Sequence, residues 1–443
     1  MSQLALFGGA PALAAPLKPY RTIGEEERLA VDAVMRSGVL SGYVGAWCDA
    51  FDGGPVVREF ERAWSATFRA RHSIAVNSNT SGLIAAMGAI GVGPGDEVIV
   101  PPYTMSATAM APLIYGAIPV FVDIEPDTYC LDPEKVRAAI TPRTKAVLVV
   151  NLFGHPAALH ELRALCDERG LMLVEDNAQG PLATEHGRLA GTIGHIGVFS
   201  LNYHKHIHTG EGGMCTTDDD DLAERLQLIR NHAEAVVEKK GVKNLANMIG
   251  FNFRLGELEA AIGRAQLKKG PALIRQRQEN VRYLEAQIAG IDGLSMPKVG
   301  PAGDHVYYVH AMSYDAKATG VGRETFVKAI KAELAPTALR EQEGVLMGMG
   351  YVKPIYLAPM YRELAGYGEV GCPFLCPHYK GKPDYGPGLC PNAEDAHYNR
   401  VVTHELMRPP MTCADLDDVA RAFHKVAGNL PALRAFEHAN KPA

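Results

Sequence analysis

Between residues 74 and 220 the chain alternates short apolar runs with helical patterns. "DEVIVPPYT" (96–104), "AIPVFVDI" (117–124), "KAVLVVNLFG" (145–154), "LMLVEDNAQ" (171–179) and "HIGVFSLN" (195–202) read as buried strands. Each is a run of branched and aromatic residues bounded by turn formers. "HELRALCDERG" (160–170) reads as one of the helices between them. This alternation predicts an α/β fold, a mostly parallel central sheet flanked by helices. Functional side chains of such sheets gather beyond the carboxyl ends of the strands.

The remainder reads differently. Helices are expected at 220–232, 254–269 and 271–290, the last two joined through "KKGP". "HVYYVHAMSY" (305–314) reads as a strand and "RETFVKAIKAEL" (323–334) as a helix. Residues 335–400, rich in Pro, Gly, Tyr and Cys, read as long ordered loops, and 413–430 as a closing amphipathic helix. At 443 residues the chain exceeds one typical core. The division expected is an N-terminal arm and large domain over 1–275 and a smaller α+β domain over 276–443, with the boundary inside the 271–290 helix.

Charge excludes some roles. The formal net charge is −6 and no basic block occurs, which disfavours nucleic acid and membrane surfaces as partners. No apolar run is long enough to span a bilayer. The N-terminal "MSQLALFGGAPALAAP" lacks a basic start and is broken by Gly8, Gly9 and Pro11, so a cytoplasmic arm is expected rather than a leader. Eight scattered cysteines fit reduced thiols. Cys372, Cys376, His378 and Cys390 have zinc-ligand chemistry, but their spacing matches no common zinc knuckle; buried or loop thiols are the other reading.

Three stretches carry chemistry. In "VNSNTSGLIAAMGAIGVGPGD" (76–96), Asn77 to Ser81 precede a helical run, which makes either an N-cap or an anion site. Its "GVGPGD" lies after a helix and before a strand, the wrong order for a dinucleotide. In "VEDNAQ" (174–179), Asp176 and Gln179 end an apolar strand, where a carboxylate serves a metal, a ribose, a protonated heterocycle or a turn. In "SLNYHKHIHTGEGG" (200–213), Lys205 lies just past the next strand, either as a surface lysine or as a desolvated amine able to form a Schiff base. An anion cradle, an acid and a lysine at one sheet edge are together what pyridoxal 5′-phosphate requires.

Over nearly its whole length the chain resembles the DegT/StrS-type sugar aminotransferases, fold-type-I pyridoxal-phosphate enzymes. "GPGDEVIVPPYT", "VEDNAQ", "FSLNYHKHIHTGEGG" and "GFNFRLGELEAAIGRAQL" carry the resemblance. It implies that Lys205 is the Schiff-base lysine, that Asp176 faces the pyridine nitrogen and that Gln179 lies near the phenolic oxygen. It implies that Thr80, the Ser81 backbone and Ser200 bind phosphate, and that Asn252 reaches the phosphate of the neighbouring subunit in a homodimer with shared sites. Where the family usually stacks an aromatic on the cofactor ring, this chain has Met105; Tyr103 is expected to point the other way along its strand.

The resemblance implies ping-pong amino transfer from glutamate or glutamine to a keto sugar, sugar acid or cyclitol, with Lys205 as general base and acid. His204, His206 and His208 are expected in surface or supporting roles. Lys353, Tyr356 and Tyr361 are offered either as acceptor contacts or as loop packing, and the long stretch 372–394 as a contributor to specificity. Two alternatives share the fold: a dehydratase, in which a histidine replaces the lysine, and a non-catalytic regulatory relative. Lys205, Asp176 and Gln179 together favour amination.

Overall fold

Seven strands build the central sheet of the computed structural model, which describes residues 3–300, 302–336 and 344–440. They are β1 (His72–Val76), β2 (Glu97–Val100), β3 (Ile118–Phe121), β4 (Thr144–Val150), β5 (Met172–Asp176), β6 (Ile196–Ser200) and β7 (Gly213–Thr217). The spatial order is β1-β7-β6-β5-β4-β2-β3. The strands from β6 to β3 pair in parallel, and β7 runs antiparallel to both β6 and β1. After α1 (Glu25–Ser37) and α2 (Pro55–Phe68), the parallel part needs helical crossovers, which α3 (Asn79–Ala89), α4 (Ala107–Ile114) and α5 (Leu159–Arg169) supply among others.

A second sheet holds β8 (Leu294–Ser295), β9 (His310–Tyr314), β10 (Met347–Met349) and β11 (Val401–His404), all antiparallel in the order β8-β9-β11-β10. Its core gathers Leu284, Phe326, Val402 and Phe423, and also Leu4 and Leu17 from the N-terminal arm. The arm is held by Glu333, whose carboxylate accepts from the N–H groups of Ala5 and Ala12 at 2.8 and 2.9 Å.

The structure corrects the expectations at four places. The two helices expected around "KKGP" are one 32-residue helix, Glu257–Ile288. Pro271 removes a hydrogen bond from its interior, but the helix is clamped along its length. Gly263 lies against Phe60, where a Cβ would come within 2.5 Å of the ring, and Gly270 against Ile207. The strand expected at 305–314 is a strand only from His310. Residues 306 and 309 instead donate to the carbonyls of Gly154 and Phe153 at 2.9 and 3.3 Å, tying this segment to the large sheet. The stretch read as loops over 335–400 contains β10, two short helices (Pro359–Arg362 and Pro391–Asp395) and a π-helical turn (Ala396–Arg400); its residues 337–343 lie outside the described residues. Two strands of the large sheet, β1 and β7, were not among the expected runs; β7 begins on Gly213, at once after the lysine turn.

Candidate active site

Asp176 ends β5 and is level with Val198 of β6, so β6 runs on past it to Ser200 and the Lys205 turn. Strand alternation sends the two acids of "VED" to opposite faces. Glu175 is fully buried and structural: its oxygens accept from the N–H groups of Gly191, Ile193 and Gly194 at 2.5, 2.8 and 2.6 Å. Asp176 faces the site. Its Oδ2 accepts from the Thr108 hydroxyl at 2.9 Å, and its Oδ1 accepts from Asn79 Nδ2 at 3.3 Å and from the Ala178 N–H at 3.2 Å. Burial lifts its carboxyl above the usual range, while Thr108, Ala178 and the Lys205 charge pull it back. Thr108 was not legible in the sequence; it is the second residue of α4.

Asn79 joins the acid to the helix start. Ser78 caps α3, accepting the Ser81 N–H at 3.0 Å, and the Ser81 hydroxyl donates to Asn77 Oδ1 at 2.6 Å. The cap therefore occupies the Ser81 N–H. Beside it, the Thr80 N–H has no acceptor among the described residues. Ser200 reaches the same place through the sheet. It is paired with Gly213, and a Cβ on Gly213 would come within 2.6 Å of the Ser78 backbone. Only glycine lets β7 approach the α3 start this closely.

The Lys205 turn is held from three sides. Its N–H donates to the Asn202 carbonyl at 2.9 Å, and Gly210 takes a left-handed φ of 90°. His206 is buried and donates from Nε2 to the Val306 carbonyl at 2.9 Å. Ile207 packs on Gly270 of the long helix. His208 hydrogen-bonds Thr22 of the arm at 2.9 Å. His206 and His208 are thus posts of the turn, not surface groups. Burial lowers the pKa of all three neighbouring histidines, His204 to about 4, so all are neutral at pH 7.

Lys205 itself is 8% exposed. Among the described residues its Nζ has no hydrogen-bond acceptor; the ring of Tyr308 lies beneath it, 4.2 Å from Nζ to centroid. Burial pushes its pKa down to about 8, against the opposing pull of Asp176 and Glu405. An unpaired, desolvated amine of this kind is a nucleophile rather than a surface charge. Tyr308 comes from the segment expected to be a regular strand, so its place under Lys205 could not be read from periodicity.

Gln179 is buried; its Oε1 accepts from the Phe153 N–H at 2.7 Å and its Nε2 donates to the Tyr351 hydroxyl at 2.9 Å. β2 ends at Val100, so Tyr103 lies beyond the strand rather than on it, and it is buried, while Met105 is 54% exposed at the start of the turn leading to Thr108. Asn252 exposes its side chain, and its carbonyl accepts from Asn77 Nδ2 at 3.4 Å.

Other expectations go elsewhere. Tyr356 and Tyr361 are buried against Phe121 at the β3 edge and are core residues rather than acceptor contacts; Lys353 is exposed. The 372–394 stretch lies over the same edge: Tyr385 donates to the Pro119 carbonyl and Tyr379 to Glu97, each at 2.8 Å. In the single chain it covers the sheet edge instead of the Lys205 cleft. Cys390 is fully buried and its N–H donates to Tyr356, and no group of three or more His, Cys, Asp or Glu among the described residues could hold a metal ion.

A buried amine without an acceptor, a buried acid raised by desolvation and an open helix start fit a cofactor with an aldehyde, a basic ring nitrogen and a phosphate. Comparison with known proteins agrees. Residues 22–374 match the DegT/DnrJ/EryC1/StrS aminotransferase family. The chain is 33% identical over 410 residues to the spore coat polysaccharide biosynthesis protein SpsC of Bacillus subtilis, covering 91% of this chain and 95% of that protein. It is 37% identical over 283 residues to GDP-perosamine synthase of Caulobacter vibrioides, covering 64% of this chain and 75% of that one. The crystal structure of DesI in the presence of its TDP-sugar product has a TM-score of 0.79 to it at 29% identity, covering 99% of both chains. The chain belongs to the DegT/DnrJ/EryC1/StrS aminotransferase family. It is an aminotransferase of the fold-type-I class, and the family implies pyridoxal phosphate as its cofactor.

Proposed function

From that membership, we propose that the protein moves an amino group from glutamate or glutamine to the keto group of a sugar, sugar acid or cyclitol, in two ping-pong half-reactions, with pyridoxal phosphate held at Lys205. The observation that carries this is the pairing of one buried amine lacking an acceptor with one buried carboxyl at neighbouring strand ends. When bound, the cofactor supplies an electron sink for the carbon that bears the amino group. Asp176, steadied by Thr108 and Asn79, keeps the ring nitrogen protonated. Lys205 Nζ, neutral above about pH 8, takes the proton from the α-carbon of the donor and returns it during transfer. The Thr80 N–H and the Ser200 hydroxyl bind the phosphate, and Ser81 holds the Ser78 cap beside them. Gln179 faces the ring oxygen, and Met105 lies against the ring face through its thioether. Dehydration is disfavoured because Lys205 stands where that branch carries histidine.

The active form on this reading is a homodimer in which Asn252 reaches the partner's phosphate. Its exposed side chain supports this, as do exposed Leu29, Met35, Val39 and Leu40 beside a cavity of about 680 Å³ lined by Val34, Val56 and Ala261. Mixing Lys205→Ala with Asn252→Ala subunits should then restore activity in proportion to mixed dimers, since one site carries both defects and the other neither. If exchange is verified and no activity returns, Asn252 acts within its own chain. A screen of keto sugars and keto cyclitols, with glutamate and glutamine as donors, tests the reaction; no transfer to any of them, from a protein that has bound cofactor, would contradict it.

A further inference from the structure

The amide of Gln179 can face only one way. The Phe153 N–H is a donor and lies 2.7 Å from one end of the amide, so that end is the oxygen. The NH₂ therefore turns to Tyr351, whose phenolic oxygen lies 2.9 Å away and must accept. This settles the role of the Tyr351 hydroxyl. Its oxygen is taken by Gln179, and its own proton has no acceptor among the described residues. Gln179 keeps a second amide proton free as well. Two donors from different parts of the chain thus converge with nothing to receive them, one from the end of β5 and one from the segment after β10. Leaving such donors unmatched away from water is unfavourable, and an anionic oxygen entering between them satisfies both.

The ring of Tyr351 is fixed independently of its hydroxyl. It meets Phe153 and Tyr103 edge to face, with centroids 5.1 and 6.1 Å away. Burial pushes its pKa up to about 12, with the carboxylates of Asp176 and Glu405 adding to the rise and Gln179 opposing it, so the hydroxyl keeps its proton across the working range. The other groups at the amine end of the cleft are Lys205, His204 and Tyr308, with Arg408 paired to Glu405 at 2.8 Å; His204 is neutral, so the Lys205 amine is the charge that acts on Asp176.

We propose that Tyr351 is a hydrogen-bond donor of the active site, giving its hydroxyl proton to the same anionic ligand oxygen that Gln179 faces with its free amide proton. This rests on the reading that Lys205 carries pyridoxal phosphate and that Gln179 faces its ring oxygen. On that reading Tyr351, not Gln179 alone, sets the proton affinity of the chromophore, and the segment after β10 becomes part of the cofactor site.

The test compares wild type with Tyr351→Phe, which keeps the ring and its aromatic contacts. Both are loaded with pyridoxal phosphate, and the visible absorbance is titrated with pH. Removing one donor makes the ring oxygen hold the shared proton more tightly. The midpoint of Tyr351→Phe should rise by about one pH unit, a roughly tenfold change in proton affinity typical of one hydrogen bond to a charged group, and cofactor affinity should fall. Tyr351→His, which restores a ring donor, should bring the midpoint back towards wild type. Borohydride fixation of the cofactor to Lys205 in the wild type separates the two levels. If Lys205 is labelled and the Tyr351→Phe midpoint stays at the wild-type value, the inference is wrong and the cofactor reading stands. If Lys205 is not labelled, the cofactor reading fails and the inference falls with it. Should Tyr351→Phe not fold, an unmoved midpoint in Tyr351→Leu overturns the proposal equally.

Discussion

The turn at 200–213 and the stretch at 372–390 look alike on paper, both crowded with glycine, aromatic and ring-bearing residues between regular elements. The structure uses them in opposite ways. In the turn, flanking side chains point into the long helix, the arm and the 305–309 segment, and the lysine between them is left without a polar partner. In the longer stretch, Phe374, Tyr379 and Tyr385 spread over β2 and β3 and give an edge strand a cover. The lesson is that loop composition does not reveal a role. What separates the two is which strand end each continues: the turn prolongs β6 beside Asp176, while the stretch returns to the outer edge of the sheet.

If that contrast is right, changes near the turn should disable amino transfer and changes in the edge cover should not. The largest effect is expected from Asp176→Asn, which cannot keep the ring nitrogen charged. Its half-reaction with the donor should slow by about 10³-fold or more, of the order of a catalytic proton-holding group, while the far-ultraviolet circular dichroism stays native. The next concerns Lys205 in the protein stripped of cofactor. Its pKa is pushed down from 10.5 to about 8, so the neutral, reactive amine forms as pH rises through about 8 rather than above 10. The rate of acylation of the Lys205 peptide against pH, followed by mass spectrometry, reads this directly; a midpoint near 10.5 would mean a solvated surface lysine.

Gly213→Ala should follow. Its Cβ would press on the Ser78 backbone, and such overpacking costs about 1–3 kcal/mol. Cofactor affinity should fall with it, because the α3 start must move. The smallest effect belongs to the edge cover. Tyr385→Phe loses the hydrogen bond to Pro119 and should lower stability by about 1 kcal/mol in denaturant melts, with transfer rates unchanged. Impaired transfer in Tyr385→Phe would break the contrast.

How much of this was legible depended on where each signal lived. Strands β2 to β6 were readable because their runs are apolar on both faces, whereas β1 and β7, short runs with polar residues among them, were not; Asp176 and Lys205 were readable because they end such apolar runs. Thr108 was not, since a threonine at the second position of a helix has no pattern of its own until Asp176 lies beside it. Tyr308 and Tyr351 were not, because both reach the site from segments whose course is set by tertiary hydrogen bonds to Gly154, Phe153 and Gln179. Pro271 suggested a break that packing on both sides of the long helix overrides. The histidines around Lys205 were visible as residues, but their work as posts depended on Thr22 and Val306, distant in sequence.

One measurement bears on the central claim most directly: reduction of the pyridoxal-phosphate-loaded wild-type protein with borohydride, followed by peptide mapping. The account predicts a yellow protein that bleaches on reduction, with the cofactor mass on the peptide containing Lys205 and on no other. A protein that stays colourless, or a label on a different lysine with Lys205 unmodified, would contradict it.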